Sequence, residues 1–408
     1  MTHRWIVLAL IFTGILISYI DRGNLGLAAT SIMHDFAFPP GAMGVLLSAF
    51  FWTYAAFQIP AGALVDRVGI RRVYAVAFVV WSIASAGIGI ARGMTDILLL
   101  RMLLGMAEAA GPIASLTYIR RNFSGAEIGL PTSIYVAGQN LGPAAGALIG
   151  TQLIAHYGWR AMFVATGMGA LLWLPFWWWL APRDQKVKAP VAGAAPKVPL
   201  PWREITSSGA FWAISICILF SSYFWYFLLT WVPAYLTMSR GFTTVEMGRV
   251  ISTPLFVMAV LNIGAGFAAD RLIRRVGSVF RVRLWFCAAG YLGSGSLLLL
   301  LVLPGKEVVL PILMVAVCSA GIGNSNYWAI AQHTPPMSLV GRTIGFLNTL
   351  SQIAGAAAPL VTGWILGPEK QFGPAVLIAG MSSICAAFCL LFVGASGMER
   401  IKTNLEHS

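Results

Sequence analysis

The chain has 408 residues, of which 58% are hydrophobic and 10% are charged. Soluble domains carry about 25% charged and about 45–50% apolar residues, so this composition excludes a water-soluble enzyme and a disordered protein, and it predicts a protein embedded in a lipid bilayer. The net charge of +13 does not indicate a nucleic-acid partner, because the Lys and Arg residues lie in short clusters between apolar runs.

Apolar runs of about 20 residues, the length that a helix needs to cross a bilayer, recur along the whole chain. Because backbone N–H and C=O groups must be paired inside lipid, each run is predicted to be an α-helix. We predict twelve spans, at residues 5–30, 43–65, 73–91, 97–119, 130–155, 161–181, 210–237, 246–269, 284–303, 308–331, 343–366 and 374–397. The sequence therefore predicts an all-α membrane protein.

Residues 182–208 interrupt this pattern, because they are rich in Pro, Ala and Lys and have no apolar period. Such a segment is typical of a linker. We therefore predict an N-terminal bundle of six helices at residues 1–181, a cytoplasmic linker at residues 182–208, and a C-terminal bundle of six helices at residues 209–408.

Two sequence matches indicate that the two bundles arose by duplication. Residues 62–67, GALVDR, recur in looser form as residues 266–271, GFAADR, and residues 139–150 recur as residues 352–363. Parallel six-helix repeats are a transporter design in which the solute is held near the bilayer midplane. The repeats thus predict two pseudo-symmetric bundles and a transport function.

The positive charges also predict the orientation of the chain. When successive loops are assigned to alternate sides, most of the 27 Lys and Arg residues fall on the side that holds both termini. Loops rich in Lys and Arg stay in the cytoplasm, so both termini are predicted to be cytoplasmic. Short loops favour a bacterial cytoplasmic (inner) membrane, and we expect a monomer.

Four charged residues lie well inside the predicted spans: Asp21, Arg22, Arg101 and Glu108. A charge at the bilayer centre costs at least about 2.5–3.5 kcal/mol on insertion scales, so four of them in two helices indicate a shared polar interior. Arg101 and Glu108 lie about 10 Å apart along one helix face. Two interpretations stay open. Either the charges pair only to fix helix one to helix four, or an Arg anchors an anionic solute while the carboxylates carry protons.

Uncharged polar side chains also cluster in the predicted spans, among them Tyr54, Gln139, Ser325 and Asn348. Each one alone is usually an interhelical hydrogen bond, but together they suit a hydroxylated solute. The sequence has neither an HExxH motif nor paired Cys motifs, and its loops are too short for a catalytic domain. We therefore predict neither an enzyme nor a metal site.

Residues 62–72, GALVDRVGIRR, resemble the signature loop of the major facilitator superfamily, and residues 266–275 resemble its second copy. Further segments resemble the anion:cation symporters of that superfamily: YIDRGN at 19–24, FWTY at 51–54, QIP at 58–60, Arg101 with Gly105 and Glu108, GWRAMF at 158–163, and Asn348 with Pro359 and Gly363. The resemblance implies the major facilitator fold and proton-coupled import of an organic anion, without a cofactor.

The resemblance also implies a role for each matching residue. The implied solute contacts are Arg22, Tyr54, Gln139, Ser325 and Asn348. The implied protonation sites are Asp21 and Glu108, with Arg101 as their partner. The implied cytoplasmic gating residues are Asp66, Arg67, Asp270 and Arg271.

Relatives of this kind point to a sugar acid, such as an aldonate, a uronate or an aldarate, as the solute. Two alternatives stay open. The first is a proton-driven exporter of organic cations or drugs, although two arginines inside the membrane would repel such a solute. The second is a symporter of aromatic or other small carboxylates.

Overall fold

The computed structural model describes residues 3–123, 127, 129–182, 206, 208–333, 340–367 and 371–406. Within these residues the secondary structure is entirely helical, which confirms the predicted all-α fold class. Most of the predicted linker at residues 182–208 lies outside the described residues.

Within the described residues, seven α-helices precede the linker and seven follow it. The first seven are α1 (His3–Asp35), α2 (Pro40–Val68), α3 (Ile70–Ile88), α4 (Met94–Glu108), α5 (Ala110–Asn122), α6 (Gly129–Ala170) and α7 (Trp173–Leu180). The others are α8 (Gly209–Thr230), α9 (Val232–Met238), α10 (Thr244–Val276), α11 (Val279–Ser294), α12 (Val309–His333), α13 (Val340–Leu366) and α14 (Gly373–Glu406), with a 3-10 helix at Gly295–Leu301.

Within the described residues, eleven helical stretches are long and apolar enough to cross a membrane. One of them, Leu130–Leu180, contains two predicted spans, because the chain bends at Gly158. The φ of Gly158 is +82°, in the left-handed region that glycine adopts without steric cost. The eleven stretches therefore overlap all twelve predicted spans.

The residues after this bend are tied to the end of α1. Trp159 donates from Nε1, and Arg160 from Nη1, to Oδ2 of Asp35, each at 2.8 Å. Two donors on one carboxylate oxygen fix the bend of α6 against α1.

A second interruption separates α4 from α5 at Ala109. Pro112 explains its position, because proline has no backbone N–H to donate to the carbonyl oxygen of Glu108. Glu108 is consequently the last residue of α4.

The contacts of the chain divide it into two compact units. Unit 1 comprises residues 1–194, 229–252 and 359–370, and unit 2 comprises residues 195–228, 253–358 and 371–408. In unit 1, α1 packs along α6, α2 packs on α4, and α3 packs on both α4 and α6.

In unit 2, α11 lies between α12 and α14. The buried core there is made mainly of aliphatic and aromatic side chains, such as Ile214, Phe280, Leu284 and Leu347. Its buried tyrosine hydroxyl on α12 is paired, because Tyr327 Oη donates to the carbonyl oxygen of Ile214 at 3.0 Å.

Candidate functional site

The four charged residues predicted inside the spans come together in unit 1, where α1, α2 and α4 meet. Asp21, Arg101 and Glu108 are buried, with 1%, 2% and 0% of their surface exposed. The Arg22 side chain is 11% exposed. These four side chains therefore form a shared polar interior, as the sequence predicts.

Glu108 is the acceptor that joins α1 to α4. Its Oε2 accepts from Arg22 Nε at 2.7 Å and from Ser18 Oγ at 2.7 Å. Ser18 and Arg22 are four residues apart and so lie on one face of α1. The ion pair of Glu108 is thus with Arg22 on the neighbouring helix.

Asp21 is held by neutral donors from two helices. Its Oδ1 accepts from Ser85 Oγ on α3 at 2.9 Å and from Asn24 Nδ2 at 3.4 Å. The same Asn24 nitrogen donates to Thr166 Oγ1 on α6 at 3.0 Å. The Asp21 carboxylate therefore connects α1 to α3 and, through Asn24, to α6.

Aromatic rings surround the Arg22 guanidinium. Its central carbon lies 4.5 Å from the ring centres of Tyr19 and Tyr54, and 5.0 Å from that of Phe50. The guanidinium of Arg101 lies 5.2 Å from the same Phe50 ring. Because an aromatic face attracts cations, Phe50 stabilises two like charges that would otherwise repel each other.

The close approach of α2 and α4 places these rings beside the arginines. A Cβ atom at Gly105 would overlap the carbonyl oxygen of Phe50 and would lie 2.6 Å from Thr53 Oγ1. Thr53 Oγ1 donates across the contact to the carbonyl oxygen of Met102 at 2.6 Å. Glycine at position 105 is therefore required for α4 to pack this closely on α2.

Several buried polar atoms of this cluster make no hydrogen bond within the described part of the chain. These atoms are Arg22 Nη2, Arg101 Nε and Nη1, Asp21 Oδ2 and Glu108 Oε1. Buried polar atoms in proteins are usually paired. The cluster therefore has both donors and acceptors to spare for a proton or an anionic ligand.

Two predicted solute contacts adjoin the cluster. Tyr54 stacks on Arg22, and Gln139 Nε2 on α6 donates to Tyr19 Oη and to Tyr135 Oη, each at 3.1 Å. Tyr19 in turn lies over Arg22, so the amide of Gln139 and the guanidinium share one aromatic neighbour.

The other two predicted solute contacts belong to unit 2. Ser325 lies on α12, is exposed, and donates to the carbonyl oxygen of Ile322 at 3.1 Å. Asn348 lies half-buried on α13.

The predicted gating carboxylates each pair within their own unit. Asp66 Oδ1 lies 3.6 Å from Arg121 Nη2, whereas Asp270 Oδ1 lies 3.0 Å from Arg283 Nη2. Arg283 Nη1 also donates to Asn326 Oδ1 at 3.3 Å. The predicted gating arginines, Arg67 and Arg271, have exposed side chains.

Sequence reasoning did not find several residues of the cluster, namely Ser18, Asn24, Phe50 and Ser85. Helical periodicity would have found Ser18 and Asn24, which lie one turn from the charged residues of α1. No sequence signal points to Ser85, because its contact with Asp21 depends on how α3 packs against α1.

Comparisons with known proteins agree with this architecture. A model of the Major Facilitator Superfamily matches residues 11–359. The chain is similar to the D-galactonate transporter of Escherichia coli O6:H1, at 27% identity over 415 residues that cover 96% of each chain. It is also similar to the chloroplastic sodium-dependent phosphate transport protein 1 of Arabidopsis thaliana, at 28% identity over 89% of this chain and 74% of that protein.

Among solved structures, the chain matches a bacterial homologue of the human lysosomal transporter Spinster, crystallised in an inward-facing and unoccupied conformation. The TM-score is 0.76 at 17% sequence identity, and the match covers 100% of this chain and 98% of the other. At that identity the likeness shows a common fold. The predictions of a two-bundle helical fold and of a transporter rather than an enzyme are therefore confirmed, and the chain belongs to the Major Facilitator Superfamily.

Proposed function

We propose that this transporter is a proton-coupled symporter that imports a sugar acid, such as an aldonate, a uronate or an aldarate, by alternating access. The observation that carries the proposal is the state of the Arg22 guanidinium. Its Nε is bonded to Glu108, while its buried Nη2 makes no hydrogen bond within the described residues. Nε and Nη2 form one edge of the guanidinium, and such an edge can hold a carboxylate through two parallel hydrogen bonds.

The same guanidinium edge couples the proton to the anion. Protonation of Glu108 would remove its negative charge and weaken its hold on Arg22 Nε. Both nitrogens of the edge would then be available to the carboxylate of the solute. Asp21, the neighbour of Arg22 on α1, serves as a second protonation site, and Arg101 compensates the charge of the two carboxylates.

The surroundings of Arg22 favour a hydroxylated carboxylate as the solute. Tyr54 and Gln139 offer a hydroxyl and an amide beside the guanidinium, and we assign Ser325 and Asn348 of unit 2 to the same solute. A site whose side chains hydrogen-bond a hydroxyl group of the solute discriminates against solutes without that hydroxyl. The D-galactonate transporter among the relatives supports this class of solute.

We further propose a setting for this activity. Both termini lie in the cytoplasm of a bacterium, an orientation that the positively charged loops support. The chain lies in the inner membrane and acts as a monomer. Bundles at residues 1–181 and 209–408, joined by a linker at 182–208, rock about the solute. Asp66, Arg67, Asp270 and Arg271 take part in closing the cytoplasmic side, and the proton gradient drives transport without a cofactor.

Uptake into vesicles that contain the purified protein tests the solute and the coupling ion together. The panel comprises galactonate, glucuronate, glucarate, benzoate, inorganic phosphate, galactose and a lipophilic cation, each with an imposed proton gradient and with or without sodium. We expect accumulation of at least one sugar acid that depends on the proton gradient, and no response to galactose. Sodium-driven accumulation of phosphate, or proton-driven extrusion of the cation, would overturn the proposal.

The variant Glu108→Gln tests the coupling step. We expect it to lose accumulation driven by the proton gradient but to retain exchange of labelled for unlabelled solute, because Arg22 is then permanently released. Glu127→Gln is the matched control, because Glu127 forms an exposed ion pair with Arg4 at 2.8 Å and should behave as the wild type. Accumulation that survives Glu108→Gln, or loss of exchange together with accumulation, would refute the coupling role of Glu108.

A further inference from the structure

A pocket of 460 Å³ lies at one end of unit 1, away from the buried charge cluster along the chain's helices. It is formed by the start of α1, the start of α3 and the end of α7. The residues around it are His3, Arg71, Trp178, Trp179, Leu180 and Ala181. The pocket is thus lined by one arginine, one histidine and two tryptophans, together with Leu180 and Ala181.

Arg71 is held in this pocket through both its side chain and its backbone. Its guanidinium carbon lies 4.6 Å from the ring centre of Trp178, and its Nη2 donates to the carbonyl oxygen of Trp178. Trp177 Nε1 donates in return to the carbonyl oxygen of Arg71 at 3.0 Å. These contacts with α7 fix a positive charge at the pocket.

An apolar groove of 480 Å³ adjoins the pocket, because Trp178 and Trp179 border both spaces. The remaining wall residues of the groove are Ala75, Val76, Val79, Val80, Leu174 and Pro175. The valines follow helical spacing on one face of α3, and Val80 lies about 14 Å from Arg71 along that helix. The two spaces together present a positive charge at one end and an apolar channel that leads away from it.

Aromatic stacking joins α3 and α7, the two helices that form the groove. Phe78 of α3 stacks on Trp173 of α7 with ring centres 4.2 Å apart, and Trp173 stacks on Trp177 at 5.1 Å. All three rings are buried, whereas Trp179 is 78% exposed and Val76 is 64% exposed. The groove is therefore formed by the fold itself and faces outward from unit 1.

We propose that the pocket and the groove form a binding site for one anionic phospholipid. The phosphate of the head group lies against the Arg71 guanidinium, with His3 beside it, and one acyl chain lies in the groove along α3 and α7. Charge complementarity supports this occupant, because basic pockets between helices on the cytoplasmic side of a membrane bind anionic head groups. The exposed tryptophans are also typical of the depth at which head groups begin.

A small soluble anion does not account for both parts of the site, because it would bind in the pocket and leave the groove unfilled. A neutral apolar molecule would use the groove and gain nothing from the arginine. Only an amphiphile with a negative head group matches the charge and the apolar surface together.

Native mass spectrometry of the detergent-purified, delipidated protein tests the site. The titrated lipids are phosphatidylglycerol and phosphatidylcholine of identical chain length, and inorganic phosphate is the competitor. We expect tighter binding of phosphatidylglycerol. Arg71→Gln should weaken it about fivefold, whereas Arg72→Gln, the exposed neighbour outside the pocket, should leave it unchanged.

A second variant keeps the test decisive if Arg71→Gln fails to fold. Val76→Trp fills the groove at an outward-facing position and leaves every charge in place, so it should weaken phosphatidylglycerol as well. Equal binding of the two lipids, equal effects of Arg71→Gln and Arg72→Gln, unchanged binding in Val76→Trp, or full displacement by inorganic phosphate would each overturn the proposal.

Discussion

The interiors of the two units hold polar groups of different kinds, although each unit carries one copy of the loop motif, at residues 62–67 and 266–271. In unit 1 the buried groups include Asp21, Arg101 and Glu108. Among the described residues of unit 2 the buried polar side chains are neutral hydroxyls and amides, such as Asn326 and Gln352. The loop motif thus recurs in both units, whereas the buried charges found among the described residues lie in unit 1.

This difference in buried polar groups suits different roles for unit 1 and unit 2 in transport. A buried charge is costly in a membrane and is retained where it has a use, which is consistent with our proposal that the proton and the anion bind in unit 1. Neutral hydroxyls and amides cost less and can hydrogen-bond the hydroxyl groups of a solute, so we propose that unit 2 shares this recognition with Tyr54 and Gln139 of unit 1.

The ion pairs at the two copies of the loop motif show the opposite trend, because the pair in unit 2 is shorter and less exposed. The pair of Asp66 and Arg121 is open, with the carboxylate side chain 74% exposed. The pair of Asp270 and Arg283 is closer, and Arg283 is only 17% exposed and also bonded to Asn326. Because exposed ion pairs contribute about 0–1 kcal/mol, the pair of Asp66 and Arg121 does not rival the buried pair of Arg22 and Glu108.

The largest effect is expected from breaking that buried pair. Arg22→Met should lower the free energy of unfolding by about 3–5 kcal/mol, because it leaves the Glu108 carboxylate buried without its cation. The double variant Arg22→Met with Glu108→Gln should recover most of this loss, although it should not bind the anion. Reversible unfolding in mixed detergent micelles measures both.

The double variant is also the control that separates the two interpretations of the charges. If the single and double variants are equally destabilised and both still transport, the pair is neither a strong contact nor an anchor. The contrast between the two units would then have no functional meaning.

Much of the fold could be predicted because lipid imposes simple rules on the chain. Apolar runs of the right length must be helices, and the repeated motif at residues 62–67 and 266–271 gives the duplication directly. The interruption of α4 at Ala109 could also have been predicted from Pro112, and the bend of α6 from Gly158.

The pairing inside the site could not be predicted from sequence to the same extent. The spacing of Arg101 and Glu108 shows that they share a face of α4, but it does not show which arginine reaches Glu108. That choice depends on the rotation of α1 about its axis, which places Arg22 Nε 2.7 Å from Glu108 Oε2. The contact of Ser85 with Asp21 likewise depends on packing between helices that are distant in sequence.

Removing a donor from the second buried carboxylate should have an intermediate effect. Ser85→Ala deletes the 2.9 Å hydrogen bond to Asp21, and a hydrogen bond to a charged group contributes about 1.5–3 kcal/mol. Ser82→Ala is the matched control on the same helix, because Ser82 Oγ is buried and makes no hydrogen bond within the described residues. Thermal unfolding should show a clear loss of stability for Ser85→Ala and little change in stability for Ser82→Ala. Equal losses of stability would show that the hydrogen bond from Ser85 to Asp21 makes no specific contribution.

The smallest effect is expected in the neutral interior of unit 2. Ser222 and Ser351 share a hydrogen bond of 2.7 Å between α8 and α13, and such bonds between membrane helices contribute about 0.6 kcal/mol on average. A double-mutant cycle with Ser222→Ala and Ser351→Ala should therefore give a coupling energy several times smaller than the cycle at Arg22 and Glu108. If the serine pair instead contributes as much as the ion pair, burial of charge does not distinguish the two units, and proton coupling would have to be sought in both.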